Sequence, residues 1–218
     1  MELILEDVSV TLNGGPLLRP FTLHAAPGEI VTLMGPSGSG KSSLLSYIGG
    51  DLTTPLVGSG RVLLDGRELT ALSPEQRKVG RLFQDDLLFP HMTVGENLLF
   101  GVARGPREQR EAMLRIALQR AELEGFESRA PHTLSAGQRS RVALFRALLA
   151  KPHAMLLDEP FAKFDAELRQ AMRNYVFAHL RERKIPSLLV SHDRSDAPAG
   201  GRILVRSEER RVGKECRL

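Results

Sequence analysis

The sequence predicts an α/β fold, with a parallel sheet covered by helices, a β-rich segment ahead of it and a helical segment inserted into it. Short strands with an apolar centre are expected at residues 29–34, 154–158 and 186–192, each separated from the next by helical patterns. Strands buried on both faces have continuous apolar runs of this kind, which indicates a parallel sheet between layers of helices.

The N-terminal elements follow a two-residue period. Residues 1–10 alternate apolar and polar side chains and predict a half-buried strand. A second strand and a turn are expected over residues 20–29, and a hairpin over 60–69 around Asp65-Gly66. Between them, residues 44–50 predict a buried helix. The apolar positions of the first strand are Leu3, Leu5, Val8 and Val10.

The rest of the chain is mostly helical, with strands between the helices. A strand is expected at residues 79–84, and helical patterns dominate the insert from about 85 to 138. Helices are predicted at 138–150 and 166–183, and the Pro/Gly-rich segment 194–201 is expected to be a loop. The apolar helix faces are Leu114, Ala117, Leu118 and Ala121 in the insert, and Leu168, Met172, Tyr175 and Val176 further on.

Composition excludes several classes of protein. The chain has 218 residues, 42% of them hydrophobic and 26% charged, which fits a globular core. Its net charge of +4 suits phosphates, nucleic acid or anionic lipid without choosing among them. There is no long apolar span and no signal-peptide pattern, so a cytosolic protein is expected. The single Cys216 excludes an internal disulfide and a cysteine metal cluster.

Residues 35–42 read Gly-Pro-Ser-Gly-Ser-Gly-Lys-Ser and match the phosphate-binding pattern G-x-x-x-x-G-K-[ST] at every fixed position. A generic glycine-rich turn is the alternative, but the predicted strand before it and helix after it favour nucleotide binding. Lys41 is expected to neutralise the β and γ phosphates, and Ser42 to ligate Mg²⁺. The expected nucleotide-binding residues are Gly35, Pro36, Ser37, Gly38, Ser39, Gly40, Lys41, Ser42 and Ser43.

Two carboxylates follow the apolar strand at 154–158. Alone, such a pair is usually a solvated strand end, but an upstream phosphate loop changes that expectation. Asp158 is placed at the carboxyl end of a parallel strand, where it can hold Mg²⁺ through water. Glu159 is then expected to act as general base on the water that attacks the γ phosphate.

Four further motifs lie in order around these two. They are Gln84 after a strand, Leu-Ser-Ala-Gly-Gln at 134–138 before an Arg-rich helix, Phe-Ala-Lys-Phe-Asp at 161–165, and Ser191-His192-Asp193 after an apolar strand. Together with the phosphate loop and the carboxylates, this order resembles the ATP-binding cassette (ABC) ATPases over about residues 1–205. The amino-acid sequence around the motifs is similar to that of the ATPase subunits of bacterial importers.

The resemblance implies a P-loop NTPase (RecA-like) core in a single ATP-binding domain, residues 1–205, with an antiparallel β subdomain and a helical subdomain at about 85–138. It assigns Gln84 to contact with Mg²⁺ and water and His192 to the γ phosphate. The signature segment, residues 134–138, would face ATP bound on a second copy in a head-to-tail dimer. The signature residues expected to bind that nucleotide are Ser135, Gly137 and Gln138.

A structural role without chemistry stays open for several of these residues. Ser135 fits an ordinary helix N-cap and Gln84 fits a surface amide. The other five histidines follow no pattern and are expected to be surface or satisfied side chains: His24, His91, His132, His153 and His179.

The resemblance also implies partners. The subunit would work with separate transmembrane permease subunits and a solute-binding protein, not nucleic acid, on the inner face of the cell membrane. Two alternative functions are a soluble ABC-type ATPase acting on ribosomes or in DNA repair, and a regulatory nucleotide-binding module without turnover. The absence of a second cassette or long coiled coil counts against the former, and Glu159 and His192 count against the latter.

Some positions depart from the family pattern. Ala136 replaces a glycine of the signature, and we expect lowered rather than lost activity. The position of the usual adenine-stacking aromatic falls near Leu12, so base stacking should be weaker. Ala162 and Phe164 replace the common Ser and Leu of the D-loop, residues 161–165. Residues 206–218 are charged and without periodicity, and are expected to be non-native or disordered, with a basic tail for a phosphate-rich partner as the alternative.

Overall fold

The computed structural model of the chain describes residues 1–205. The expectation for residues 206–218, with Cys216, lies outside the described residues. Within the described part, no helix combines the length and apolar character that crossing a membrane requires.

The N-terminal sheet is antiparallel, with strand order β2-β1-β4-β5. Leu3 pairs with Ala25 on one side and with Leu64 on the other, which places β1 between its neighbours. The second strand begins at Gly15, earlier than the sequence predicts, because the Asn13-Gly14 turn with positive φ at both residues folds the chain straight back. The strands are β1 Leu3–Leu12, β2 Gly15–Ala25, β4 Leu56–Leu64 and β5 Arg67–Glu68.

The second sheet has five strands in the order β6-β7-β8-β3-β9, and its strand pairs are parallel. The predicted parallel sheet is therefore confirmed, and β9 is an additional strand at its edge. The strands are β3 Ile30–Met34, β6 Val79–Leu82, β7 Ala154–Asp158, β8 Ser187–Val190 and β9 Ile203–Val205.

Six α-helices lie within the described residues. Those of the predicted helical segment are α3 and α4, and α5 begins at its end. Two short 3₁₀ turns occur at Pro131–Thr133 and Arg194–Asp196, the latter inside the segment expected to be a loop. The helices are α1 Lys41–Gly49, α2 Pro74–Arg77, α3 Val94–Phe100, α4 Arg107–Arg120, α5 Ala136–Leu149 and α6 Ala166–Glu182.

Two apolar cores lie on opposite faces of the parallel sheet. In β7, Met155 and Leu157 pack into the core that contains α3 to α6, while Leu156 packs into the core that contains α1 and the antiparallel sheet. Alternate residues of a strand point to opposite faces, so both faces of β7 are covered. This accounts for the uninterrupted apolar run of residues 154–157.

Candidate functional site

The parallel register brings the carboxyl ends of the central strands to one edge of the sheet. Val190 of β8 is paired with Leu33 of β3 on one side and with Asp158 of β7 on the other. The segments that follow these three residues contain the phosphate loop (residues 35–42), Glu159, and His192. Most of the residues predicted to form the site thus leave the sheet at one edge, which we call the carboxyl edge.

The backbone of the phosphate loop uses conformations that glycine adopts most readily. Gly38 has φ of 78° and Gly40, which precedes α1, has φ of 84°. The first turn of α1 contains no acidic residue, so the positive end of the helix is not opposed by a side chain of its own. This geometry favours an anion at the loop.

Lys41 lies against the loop that it ends. Its Nζ donates hydrogen bonds to the carbonyls of Gly35 at 2.8 Å and Pro36 at 2.7 Å. A third donor–acceptor distance, to Ser39 Oγ, is 3.3 Å. The ammonium group is therefore fixed among the loop's backbone atoms, while the next residue, Ser42, is exposed.

The two carboxylates at the end of β7 differ in environment. Asp158 is 4% exposed, and Arg81, whose charge acts on it, is ion-paired with Asp51. Burial lowers the pKa of Arg81, with the Asp51 carboxylate opposing that shift. Glu159 has a positive φ of 48° and places its carboxylate towards β8.

Glu159 meets His192 at the carboxyl edge. The distance from Glu159 Oε2 to His192 Nδ1 is 3.0 Å, and Ser191 Oγ lies 3.4 Å from the same oxygen. The Glu159 side chain is 13% exposed and that of His192 is 71% exposed. The shielded carboxylate can act as a proton acceptor, with the exposed imidazole beside it. Both groups lie at the carboxyl edge, from which the phosphate loop also leaves the sheet.

A buried ion pair behind this site has no sequence signal that reveals it. Asp196 is fully buried and accepts hydrogen bonds from Arg169 Nε at 2.8 Å and Nη2 at 2.6 Å. Ser191 Oγ donates to the same carboxylate at 2.7 Å, which links the pair to the residue preceding His192. Only the three-dimensional arrangement joins these residues, because α6 and the 3₁₀ turn are separate in sequence.

The signature segment lies at the start of α5. Ser135 is the N-cap, and its Oγ accepts from the Gln138 backbone while Gln138 Oε1 accepts from the Ser135 backbone. The N-cap interpretation of Ser135 is therefore confirmed, which leaves a nucleotide-binding role open. A Cβ on Gly137 would lie 3.1 Å from the Lys163 carbonyl, so the D-loop packs closely against this helix end.

Two further predictions concern Gln84 and His179. Gln84 is exposed and falls two residues after β6, which ends at Leu82. The prediction for His179 is wrong: α6 holds the ring beside Tyr175, with 6.0 Å between ring centroids, and its buried Nε2 has no hydrogen-bond partner among residues 1–205. Burial, reinforced by the charge of Arg183, lowers the pKa of His179.

Comparison with known proteins identifies the family. A family model described as ABC transporter matches residues 18–162, which include the phosphate loop, the signature segment and both carboxylates. The chain belongs to the ABC transporter family. The family resemblance noted in the sequence is thereby confirmed.

Curated relatives support the same assignment. The ABC transporter ATP-binding protein YnjD of Escherichia coli K12 is 44% identical over 203 residues, which cover 93% of this chain and 94% of the relative. The Fe(3+) ions import ATP-binding protein FbpC of the same strain is 39% identical, with 88% of this chain and 55% of the relative covered. The cassette thus spans nearly all of YnjD and about half of FbpC.

A solved structure supports the fold. The dimeric ATP-binding cassette MJ0796 in a post-hydrolysis state, bound to ADP and Pi, matches with a TM-score of 0.81 and 31% identity, covering 93% of each chain. The predicted α/β cassette fold is confirmed. The chain is an ATP-binding ATPase subunit of the ABC transporter family.

Proposed function

We propose that two copies of this cassette bind two Mg²⁺-ATP in a head-to-tail dimer and hydrolyse them to drive import through separate membrane subunits. The observation that carries the proposal is the 3.0 Å contact between Glu159 Oε2 and His192 Nδ1 at the carboxyl edge that also bears the phosphate loop. Nucleotide binding and a candidate proton acceptor thus share one edge of the sheet.

Phosphate binding rests on the loop and α1. The backbone N–H groups after Gly38 and at the start of α1 attract the anion, and Lys41 adds a charge-assisted donor. Adenine would have an aliphatic neighbour, because Leu12 stands near the position of the usual aromatic side chain.

The residues present fit Mg²⁺. The Ser42 hydroxyl, the Asp158 carboxylate and the Gln84 amide oxygen are hard ligands of the kind Mg²⁺ prefers. Asp158 is buried, and the cation that acts on it, Arg81, is already paired with Asp51, so a divalent ion would balance this carboxylate. No three His, Cys, Asp or Glu side chains within residues 1–205 could hold a metal by themselves, so the ion would share ATP oxygens. Bound there, it would neutralise charge on the phosphates.

Glu159 would accept the proton of the attacking water. Its position one residue after Asp158 puts it beside the metal ligand, and the contact with His192 fixes the direction of its carboxylate. His192 is exposed and would use its second ring nitrogen to contact the γ phosphate and orient the water.

The second ATP would be bound by the start of α5. This end of the helix presents Ser135 and a first turn without acidic side chains. Because a helix N-terminus attracts anions, it would contact the γ phosphate held by the other copy. Hydrolysis then weakens the dimer by removing that shared anion.

Force would pass to the membrane subunits through the surface of the helical segment. Phe100 is 60% exposed and lines a cleft with Met92, Glu96, Leu99 and Arg110, and Leu87 is a further apolar side chain that is 55% exposed. An amphipathic cytoplasmic helix of a permease would bury these side chains. FbpC, named as an Fe(3+) ions import ATP-binding protein, supports an import system as the setting. A solute-binding protein would deliver the solute to it.

The test is the Glu159→Gln variant, with Glu124→Gln as a control because Glu124 is exposed in the helical segment. We expect hydrolysis to fall at least about a hundredfold, as loss of a general base requires. Light scattering should then show that ATP converts the variant to a dimer and that ADP does not. A native chain that binds ATP without turnover would instead favour a regulatory module.

A further inference from the structure

The segment that follows Gln84 contains a shielded carboxylate held by two other motifs. The Asp86 side chain is 13% exposed. Its Oδ1 accepts from Ser140 Oγ at 2.5 Å and from Lys163 Nζ at 3.0 Å, and its Oδ2 lies 3.6 Å from Arg139 Nε. We call these four side chains the Asp86 cluster.

The backbone of the same segment is fixed to α5. Arg146 Nη2 donates to the carbonyl of Leu87 at 2.9 Å and lies 3.4 Å from that of Asp86. Burial lowers the pKa of Arg146, whose guanidinium lies 5.1 Å from the centre of the Phe89 ring. The segment after Gln84 is thus attached to α5 through backbone and side chain together.

The partners of Asp86 come from the start of α5 and from the D-loop. Arg139 and Ser140 lie in the first turns of α5, directly after the signature segment, and Lys163 is the central residue of the D-loop. The D-loop also packs on the helix end itself, because a Cβ on Gly137 would approach the Lys163 carbonyl to 3.1 Å. Asp86 therefore joins its own segment to Ser140, 54 residues further along the chain, and to Lys163, 77 residues further along.

The charges of the cluster make Asp86 the residue on which it depends. One carboxylate faces the cationic groups of Lys163 and Arg139, both only partly exposed. Replacing Asp86 by Asn keeps a similar shape but leaves the two cations close together without an anion. The ion pairs from Asp86 to α5 and the D-loop would then be lost, while the hydrogen bond from Arg146 to the Leu87 carbonyl would remain.

We propose that Asp86 is a positioning residue that couples the two ATP sites of the dimer. This inference rests on the proposed function, since it requires Gln84 to contact one nucleotide and the signature segment to contact the other. Movement of Gln84 towards its own Mg²⁺-ATP would carry Asp86 with it. Arg139, Ser140 and Lys163 would then move the signature segment and D-loop towards the nucleotide of the other copy.

The test is Asp86→Asn, with Asp85→Asn as the matched control because Asp85 is the exposed neighbour and undergoes the same chemical change. Binding of a fluorescent ATP analogue to the monomer should change by less than about twofold in either variant, since Asp86 is outside the phosphate loop. In a Glu159→Gln background, Asp86→Asn should weaken the ATP-induced dimer about tenfold or more, within the range of ordinary coupling energies. When Glu159 is kept, ATP hydrolysis by the Asp86→Asn variant should lose its cooperative dependence on ATP concentration, with the Hill coefficient approaching 1.

Two further variants separate coupling from folding. Lys163→Met removes a partner without touching the Gln84 segment, and its effect on dimerisation should be non-additive with that of Asp86→Asn. Asp86→Glu should restore part of the cooperativity. Thermal melts of all variants report the fold independently.

The possible outcomes distinguish this inference from the proposed function. If the Glu159→Gln parent binds ATP and stays monomeric, the proposed function fails and the coupling role with it. If the parent forms the ATP dimer and Asp86→Asn forms it equally well with unchanged cooperativity, only the coupling role is overturned.

Discussion

Glu159 and His192 meet between the ends of β7 and β8, with 3.0 Å between Oε2 and Nδ1. The carboxylate is shielded and the imidazole is exposed, so the pair has a protected end and an accessible end. The positive φ of Glu159 turns its side chain towards β8 at the point where the register aligns Asp158 with Val190. The contact therefore depends on backbone conformation as well as on residue type.

His192→Ala should lower kcat for ATP hydrolysis by about tenfold to a hundredfold, because Glu159 and the attacking water would lose an orienting partner. ATP affinity should stay within about twofold, since the phosphate loop is untouched. Steady-state hydrolysis and equilibrium ATP binding measure the two effects separately. His132→Ala, at an exposed position in a 3₁₀ turn, is the control. A large loss of affinity with unchanged kcat would contradict the proposed role.

Arg169→Met should destabilise the protein, because it leaves the fully buried Asp196 without its bidentate partner. The hydrogen bond to Asp196 raises the pKa of Arg169, so the pairing favours the charged guanidinium. We expect a loss of about 3 kcal/mol in the free energy of unfolding, reduced where Arg173, 3.7 Å from Asp196, compensates.

Urea denaturation measures the loss, and Arg194→Met is the control because Arg194 is exposed next to Asp196. kcat should also fall, since Ser191 joins Asp196 to the segment that bears His192. Equal stability of the two variants would show that Asp196 tolerates burial without Arg169.

His179 should make the protein less stable in mild acid. Burial lowers its pKa in the folded state, with the charge of Arg183 adding to that effect and Glu182 opposing it. Below the unfolded value of about 6.5, the unfolded chain therefore binds more protons than the folded one, and the free energy of unfolding falls as the pH falls.

His179→Leu should remove this dependence and flatten the melting temperature between about pH 7 and 5. It also removes the buried Nε2 that has no hydrogen-bond partner. Melting curves at several pH values test this, with His132→Leu as the exposed control. An unchanged acid slope in His179→Leu would locate the titration elsewhere.

The sequence predicts the elements whose pattern is local. The apolar run at 154–157 indicates a strand buried on both faces, and the order of Gly40, Lys41 and Ser42 after β3 indicates the phosphate loop. The start of α5 is equally local, because Ser135 and Gln138 form a capping box three residues apart.

The pairings across the fold are not predictable in this way. Asp86 and Lys163 lie 77 residues apart, and Arg169 and Asp196 lie 27 residues apart, with no periodicity to join them. Their charges are ordinary for exposed helix and loop positions, and only packing brings them together. The missing hydrogen bond of His179 likewise depends on how α6 lies on the core.

Leu12→Tyr should tighten ATP binding about five- to tenfold, because base–aromatic stacking contributes about 1–3 kcal/mol at other sites. Leu12 is 41% exposed at the end of β1, so the larger ring has room. Val57→Tyr is the control: Leu12 pairs with Leu56, so Val57 points to the other face of the sheet. Competition between ATP and GTP measures affinity and base selectivity, and equal gains from both variants would argue against stacking at Leu12.

Ala136→Gly should raise hydrolysis about two- to fivefold, because its Cβ stands at the exposed first turn of α5, where the second nucleotide is proposed to bind. Glycine costs up to about 1 kcal/mol in a helix interior and less at its first residue, so folding should be nearly unaffected. Ala150→Gly at the other end of the same helix is the control, since it changes the same side chain away from the nucleotide. Hydrolysis rates and ATP-induced dimerisation should both rise in Ala136→Gly alone. A rate that falls, with dimerisation unchanged, would mean that the Cβ helps to hold the helix start rather than obstructing the phosphate.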